Sequence, residues 1–226
     1  MKCRGFLRDN GLGLFFGLVF LLALFGQSLT GRADDNNHRR TQGREEISYG
    51  SYVSSSDFAV DVAENWQSEY LQFLLYIAAT VWLVQRGSPE SKELSDAGTE
   101  SDEKQMVGEH ADPDSPRWAR TGGLRTLVYS RSLVLWMGAL FFGSWGAQSV
   151  AGWSAFNEQQ IGDRQPTLSW AGYVTSADFW NRTLQNWQSE FLAVGSMVVF
   201  SIYLRQRGSP ESKPVGAAHA ATGDTG

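Results

Sequence analysis

The chain has 226 residues, 42% of them apolar and 19% charged, with a net charge of −5 at pH 7. A single cysteine, Cys3, excludes an internal disulfide framework, and three scattered histidines, His38, His110 and His219, argue against a metal cluster. The acidic balance, with no basic stripe, argues against nucleic-acid binding, and the sequence contains no HExxH, CxxC or glycine-rich phosphate loop.

The first predicted element is an uncharged run from Asn10 to Gly31 with GLFFGLVFLLALFG at its centre. It reaches the roughly 20 residues that cross a hydrocarbon core of about 30 Å, so a transmembrane helix is predicted over 11–30. Lys2, Arg4 and Arg8 before it also give it the outline of a secretory signal peptide. Its counterpart further along is internal, which favours an uncleaved helix. After a polar loop comes a shorter run, YLQFLLYIAATVWLV, from Tyr70 to Val84. Counting back about 20 residues from Gln85 reaches Trp66, so a second span over 66–85 must include NWQSE. Its helix is expected to start at SSSDF, capped by Ser56 or Asp57.

Residues 93–116, ELSDAGTESDEKQMVGEHADPDSP, are acidic and lack aromatic residues, and read as a disordered linker. The chain is uncharged again from Ser132 to Asn157, predicting a third span over 132–152. The run FLAVGSMVVFSIYL, Phe191 to Leu204, completes a fourth over 187–206, with Ser176 or Asp178 as the cap upstream. The tail, 214–226, reads as disordered.

The octet QRGSPESK begins at Gln85 and again at Gln206, an offset of 121 (206 − 85). The same shift lays Asn65-Trp66-Gln67-Ser68-Glu69 on Asn186-Trp187-Gln188-Ser189-Glu190 and Gln27-Ser28 on Gln148-Ser149, without a gap. The expected architecture is therefore an all-α integral membrane protein of four transmembrane helices, a tandem repeat of two helical hairpins with parallel topology. Its parts are a first repeat over 1–92, the linker over 93–116, a second repeat over 117–213 and the tail. Basic residues favour the N-terminus (Lys2, Arg4, Arg8), the middle connection (Arg86, Lys92, Lys104, Arg117, Arg120, Arg125, Arg131) and the end (Arg205, Arg207, Lys213). Fewer lie in the two outer loops (Arg32, Arg39, Arg40, Arg44, Arg164, Arg182), so both termini and the linker are expected in the cytoplasm. The pairing of NWQSE with RGSPESK after an apolar helix resembles an uncharacterised family of small bacterial membrane proteins, a domain of unknown function, over residues 5–92 and 126–213. The resemblance implies a bacterial plasma (inner) membrane setting and brings no activity or catalytic residue.

In the octets, Arg86 and Arg207 suit a helix C-terminus, Gly87 and Gly208 the left-handed position after it, and Pro89 and Pro210 forbid continuation. The octet thus reads first as a helix stop. Because Glu90, Lys92, Glu211 and Lys213 repeat as well, the second reading is a cytoplasmic docking motif carried by Arg86, Pro89, Glu90, Lys92, Arg207, Pro210, Glu211 and Lys213.

On the second helix, Asp61, Asn65, Glu69, Gln72, Tyr76 and Thr80 form one stripe, and Asp61 becomes Arg182 in the second copy, offering an ion pair. Gln27 lies 16 residues past Gly11 and Glu69 16 before Gln85, about 24 Å of helix in each case, which places both near the outer membrane boundary. Gln27, Gln148, Asn65, Asn186, Glu69 and Glu190, with Asp61 and Arg182, are therefore the candidate polar layer. One reading makes it hydrogen-bonded glue between helices of a non-enzymatic structural or interaction protein. The alternative is a small channel or proton- or cation-linked transporter using Glu69 and Glu190. No cofactor and no metal are expected; the expected partners are the lipid bilayer and a second copy or another membrane protein, with no nucleic acid.

Overall fold

The computed structural model describes residues 2–223. The side chains of residues 2–5, among them the basic Lys2 and Arg4, and tail residues 224–226 lie outside the described residues. Every regular element described is helical: α1 (Lys2–Asp9), α2 (Gly11–Thr41), α3 (Tyr49–Val53), α4 (Ser56–Ala79), α5 (Arg117–Arg120), α6 (Gly123–Ser130), α7 (Ser132–Gly162), α8 (Trp170–Val174) and α9 (Ala177–Tyr203), with two single 3-10 turns, Leu94–Asp96 and Gly108–His110, within the 93–116 stretch. The shift of 121 residues that aligns the sequence also carries α2 onto α7 at both ends (132 − 11 and 162 − 41) and α3 onto α8.

Two of these helices, α2 and α7, are long and apolar enough to cross a membrane. Only 6% of the most apolar stretch of α2 and 17% of that of α7 is buried, the opposite of a core helix in a soluble protein. By contrast, α4 and α9 do not qualify as apolar spans, because their first halves carry acidic, amide and arginine side chains. The expected end of the second helix is also corrected. It stops at Ala79, six residues short of Gln85, where the Thr80 hydroxyl donates to the Tyr76 carbonyl at 2.9 Å. The octets are therefore separate turns rather than helix stops, although Gly87 and Gly208 do adopt positive φ, +88° and +81°. The first-copy cap is Ser55, whose hydroxyl accepts the Phe58 amide at 3.2 Å; in the second copy it is Ser176, as expected, accepting from Phe179 at 3.3 Å.

The chain forms two compact units. The first comprises the residues up to Val62 together with Val150–Leu168, and so includes α2, α3, the start of α4 and the end of α7. Its order comes from side chains that hold loop backbone. Asn36 donates to the Ile47 carbonyl (3.2 Å) and accepts the Ile47 amide (2.8 Å), and Arg32 donates to the same carbonyl (3.1 Å). Asn157 treats Leu168 in the same way (2.9 Å in both directions), with Trp153 Nε1 donating to that carbonyl at 2.7 Å. Tyr52 packs over Gly31 so closely that any Cβ there would collide with its ring hydroxyl. Burial first, then the negative charges of Asp61, Asp35, Asp57 and Asp34, push the Tyr52 phenol up to about 12.

The second unit comprises Ala63–Ser149 and the residues from Ser169 onward: the body of α4, the first part of α7, and α9. Ser169 caps α8, accepting the Gly172 amide at 3.2 Å, as Ser48 caps α3 through Ser51 at 3.1 Å. Trp145 lies at its centre, stacked on Phe141 (5.7 Å) and Phe179 (6.1 Å) and against Trp180 (6.2 Å) and Trp187 (6.3 Å).

Candidate functional site

The polar groups of the second unit are arranged along α9. Near its start Arg182 reaches Glu64 on α4 at 3.2 Å and Asp178 one turn back at 3.6 Å. Tyr173 donates to Asp178 at 3.3 Å, and burial, followed by the Asp178 charge, raises the Tyr173 phenol. One turn further on, Trp187 Nε1 donates to Gln67 Oε1 at 2.8 Å, and Gln148 on α7 donates to Thr183 at 3.4 Å. Gln67, Gln148 and Thr183 are 0% exposed. Among the described residues, Gln67 Nε2, Gln148 Oε1, Gln72 Oε1 and Trp145 Nε1 are buried without a partner, each costing about 1–3 kcal/mol. Such groups fix a specific helix register more than they stabilise it.

Of the residues expected in this layer, Gln148 is central and Asn186 adjoins it, donating to the Arg182 carbonyl at 3.1 Å. Arg182 pairs with Glu64 and Asp178, and Gln27 is half-buried. Asn65 and Glu69 are exposed and Glu190 is half-buried, yet Glu69 and Glu190 lie close enough for their charges to interact. Gln67, Thr183, Trp145 and Trp187 were missed. The available signal was NWQSE itself, which places Gln67 and Trp187 in a segment repeated letter for letter.

At the other end of the second unit the octets meet. Arg86 and Arg207 are exposed, Pro89 is buried and Pro210 exposed. Half-buried Glu90 receives the Tyr76 hydroxyl and lies within hydrogen-bonding reach of exposed Glu211, whose carboxyl is raised by that neighbour. Lys92 pairs with Glu100 at 3.0 Å, whereas Lys213 is 1% exposed and donates to the Gly87 carbonyl at 2.6 Å. In the first unit, a cleft of about 260 Å³ is lined by Asp35, His38, Arg39, Arg44, Asp57 and Glu158 among others, with Asp35 and Arg39 paired at 2.8 Å.

Among the described residues the regular elements are helical, and two of them are long and apolar enough to cross a membrane. The chain belongs to the family described as Domain of unknown function (DUF6766), whose model matches residues 3–224. No curated protein and no solved structure matches it.

Proposed function

We infer that the chain is a multi-pass protein of the bacterial plasma membrane, with four crossings and both termini cytoplasmic, whose role is structural or interactive rather than enzymatic. The reading of α4 and α9 as crossings is supported by length: 24 and 27 residues rise about 36 and 40 Å, more than the roughly 30 Å core. One observation carries the functional reading. Buried Gln67 and half-buried Glu64 of α4 bond to α9 itself, Gln67 to Trp187 and Glu64 to Arg182, as interhelical bonds in a membrane bundle do, each worth up to about 1–2 kcal/mol. The alternative, a proton or cation route, is favoured by a different observation: the charge acting on Glu190 is that of another acid, Glu69.

Proton flux and conductance in proteoliposomes separate the two readings. The structural reading expects no flux above empty vesicles in the wild type or in Glu69→Gln/Glu190→Gln, and a loosened fold in Gln67→Leu. A flux present in the wild type and abolished in the folded double variant replaces it with the transport reading.

A further inference from the structure

The two octets share their letters and their backbone course. In each, a serine hydroxyl accepts the amide that opens the octet, Ser91 from Gln85 at 2.8 Å and Ser212 from Gln206 at 2.9 Å. In each, the same hydroxyl donates to the lysine carbonyl that closes it, at 3.2 and 3.1 Å. They differ in one internal bond, the Ser212 amide to the Ser209 carbonyl at 3.2 Å in the second octet, and in their surroundings.

Over the first octet runs the C-terminal segment of the chain. Gly87 N–H donates to Thr222 Oγ1 at 2.9 Å, Gly223 N–H donates to the Ser88 carbonyl at 3.1 Å, and Lys213 Nζ reaches the Gly87 carbonyl at 2.6 Å. The same ammonium gathers the carbonyls of Ala218, His219 and Ala221 at 3.2, 3.0 and 3.0 Å, so the segment is folded around it. The His219 carbonyl passes so near Gly87 that a Cβ there would meet it at 2.5 Å. On the second octet, the Gly208 amide and carbonyl have no partner among the described residues, and a Cβ at Gly208 would meet nothing within 4 Å. Nor does the linker do there what the tail does on the first. Lys92, the counterpart of Lys213, instead turns back to Glu100 at 3.0 Å and the Gly98 carbonyl at 3.2 Å.

We propose that the second octet is a peptide seat for the C-terminal segment of a second copy of the chain, joining molecules tail to octet. The second octet presents the same glycine amide and carbonyl at Gly208, and its Ser209 carbonyl, which takes the Ser212 amide at 3.2 Å, keeps a second lone pair for the bond that Ser88 makes to Gly223; the segment that fits these groups is already seated on the first octet. Each chain has one such segment, held on its own first octet, so the occupant of the second must come from another molecule. Such a contact is head-to-tail rather than self-complementary, and it can extend beyond a dimer. It competes with an intramolecular seat of high effective concentration, so it develops where chains are crowded in a membrane.

The test uses the full chain in detergent micelles and a fluorescently labelled peptide of residues 212–223, SKPVGAAHAATG, followed by anisotropy. Saturable binding is expected, weakened about tenfold or more by Gly208→Ala, whose methyl stands where the peptide carbonyl must pass. Gly87→Ala is expected to leave this binding in place. A peptide with methionine at the Lys213 position is expected to bind about tenfold more weakly, a readout that does not depend on the folding of any variant chain. Absence of saturable binding overturns the proposal. So does binding that survives Gly208→Ala in a folded chain but is lost in Gly87→Ala, because the peptide then only exchanges with the tail on the first octet.

Discussion

After α2 the loop is held by Asn36 and Arg32; after α7 the equivalent loop is held by Asn157 and Trp153. A guanidinium and an indole have little in common beyond an N–H at the right reach, yet both donate to the same loop carbonyl, Ile47 in one copy and Leu168 in the other. Tyr49 and Trp170 repeat the pattern, bonding Ser28 at 2.8 Å and Ser149 at 3.3 Å. The octets behave in the opposite way: their letters are identical, but Pro89 is covered and Pro210 exposed. In the loops, then, the bond persists while the side chain changes. In the octets the side chains persist while the neighbours change. A repeated fold keeps the positions where backbone must be satisfied, and repeated letters alone do not guarantee a repeated environment.

The strongest way to break this comparison is at the asparagines. Asn36→Ala strands the amide of Ile47 and leaves its carbonyl to Arg32 alone, and Asn157→Ala strands the amide of Leu168 and leaves its carbonyl to Trp153; each is expected to cost about 2–3 kcal/mol in denaturant titrations of the full chain. Costs that differ by more than about 1.5 kcal/mol, a tenfold difference in equilibrium, show that the two loops are not energetic equivalents. Next in size is the contrast between lysines. Lys213→Met takes the ammonium from four carbonyls, of which Ala218 keeps the Ala221 amide, and is expected to cost about 2 kcal/mol. Lys92→Met loses a part-exposed pair with Glu100 and a single carbonyl, with an expected cost below about 1 kcal/mol. Equal losses in thermal melts contradict the asymmetric seating of the two octets.

Smaller still is the exchange of donors. Arg32→Ala removes one bond and is expected to cost about 1 kcal/mol, while Arg32→Trp, which copies the second repeat, recovers most of it. A tryptophan no better than alanine means that the match between the two loops does not extend to donor reach. This bond was not legible in the sequence, because an alignment of Arg32 with Trp153 looks like a mismatch. What was legible followed from long, uninterrupted signals. The starts of α2 and α7 fall where the charge-free runs suggested, and the 121-residue shift recurs in the helix ends. The end of α4 was misread because VWLV continues the apolar run, although its β-branched valines and the Thr80 back-bond favour leaving the helix. The site was half legible. A stripe through Asn65 and Glu69 assumes that polar residues share a face, whereas NWQSE is polar nearly all round. The side chain buried against Trp187 is Gln67, two positions and about 200° from Asn65, and only the facing helix decides that.

The finest difference between the copies shows only in alkali. Tyr52 and Tyr173 are equivalent buried tyrosines, both raised first by burial, but the other charges acting on Tyr52 are all acidic, whereas Arg182 acts against Asp178 at Tyr173. In the unfolded chain the phenol ionises near 10, and in the folded chain Tyr52 holds its proton until about 12. A raised acid stabilises the fold fully below the unfolded value and loses that contribution as pH climbs through the folded one. Tyr52→Phe is therefore expected to leave stability nearly unchanged at neutral pH and to reduce the alkaline loss between about pH 10 and 12. The tyrosinate absorbance that distinguishes wild type from Tyr52→Phe should rise near pH 12 while the chain is folded. A rise near pH 10 in folded protein would mean that water reaches the phenol over Gly31, and that the first copy lacks the close packing around its tyrosine that the geometry requires.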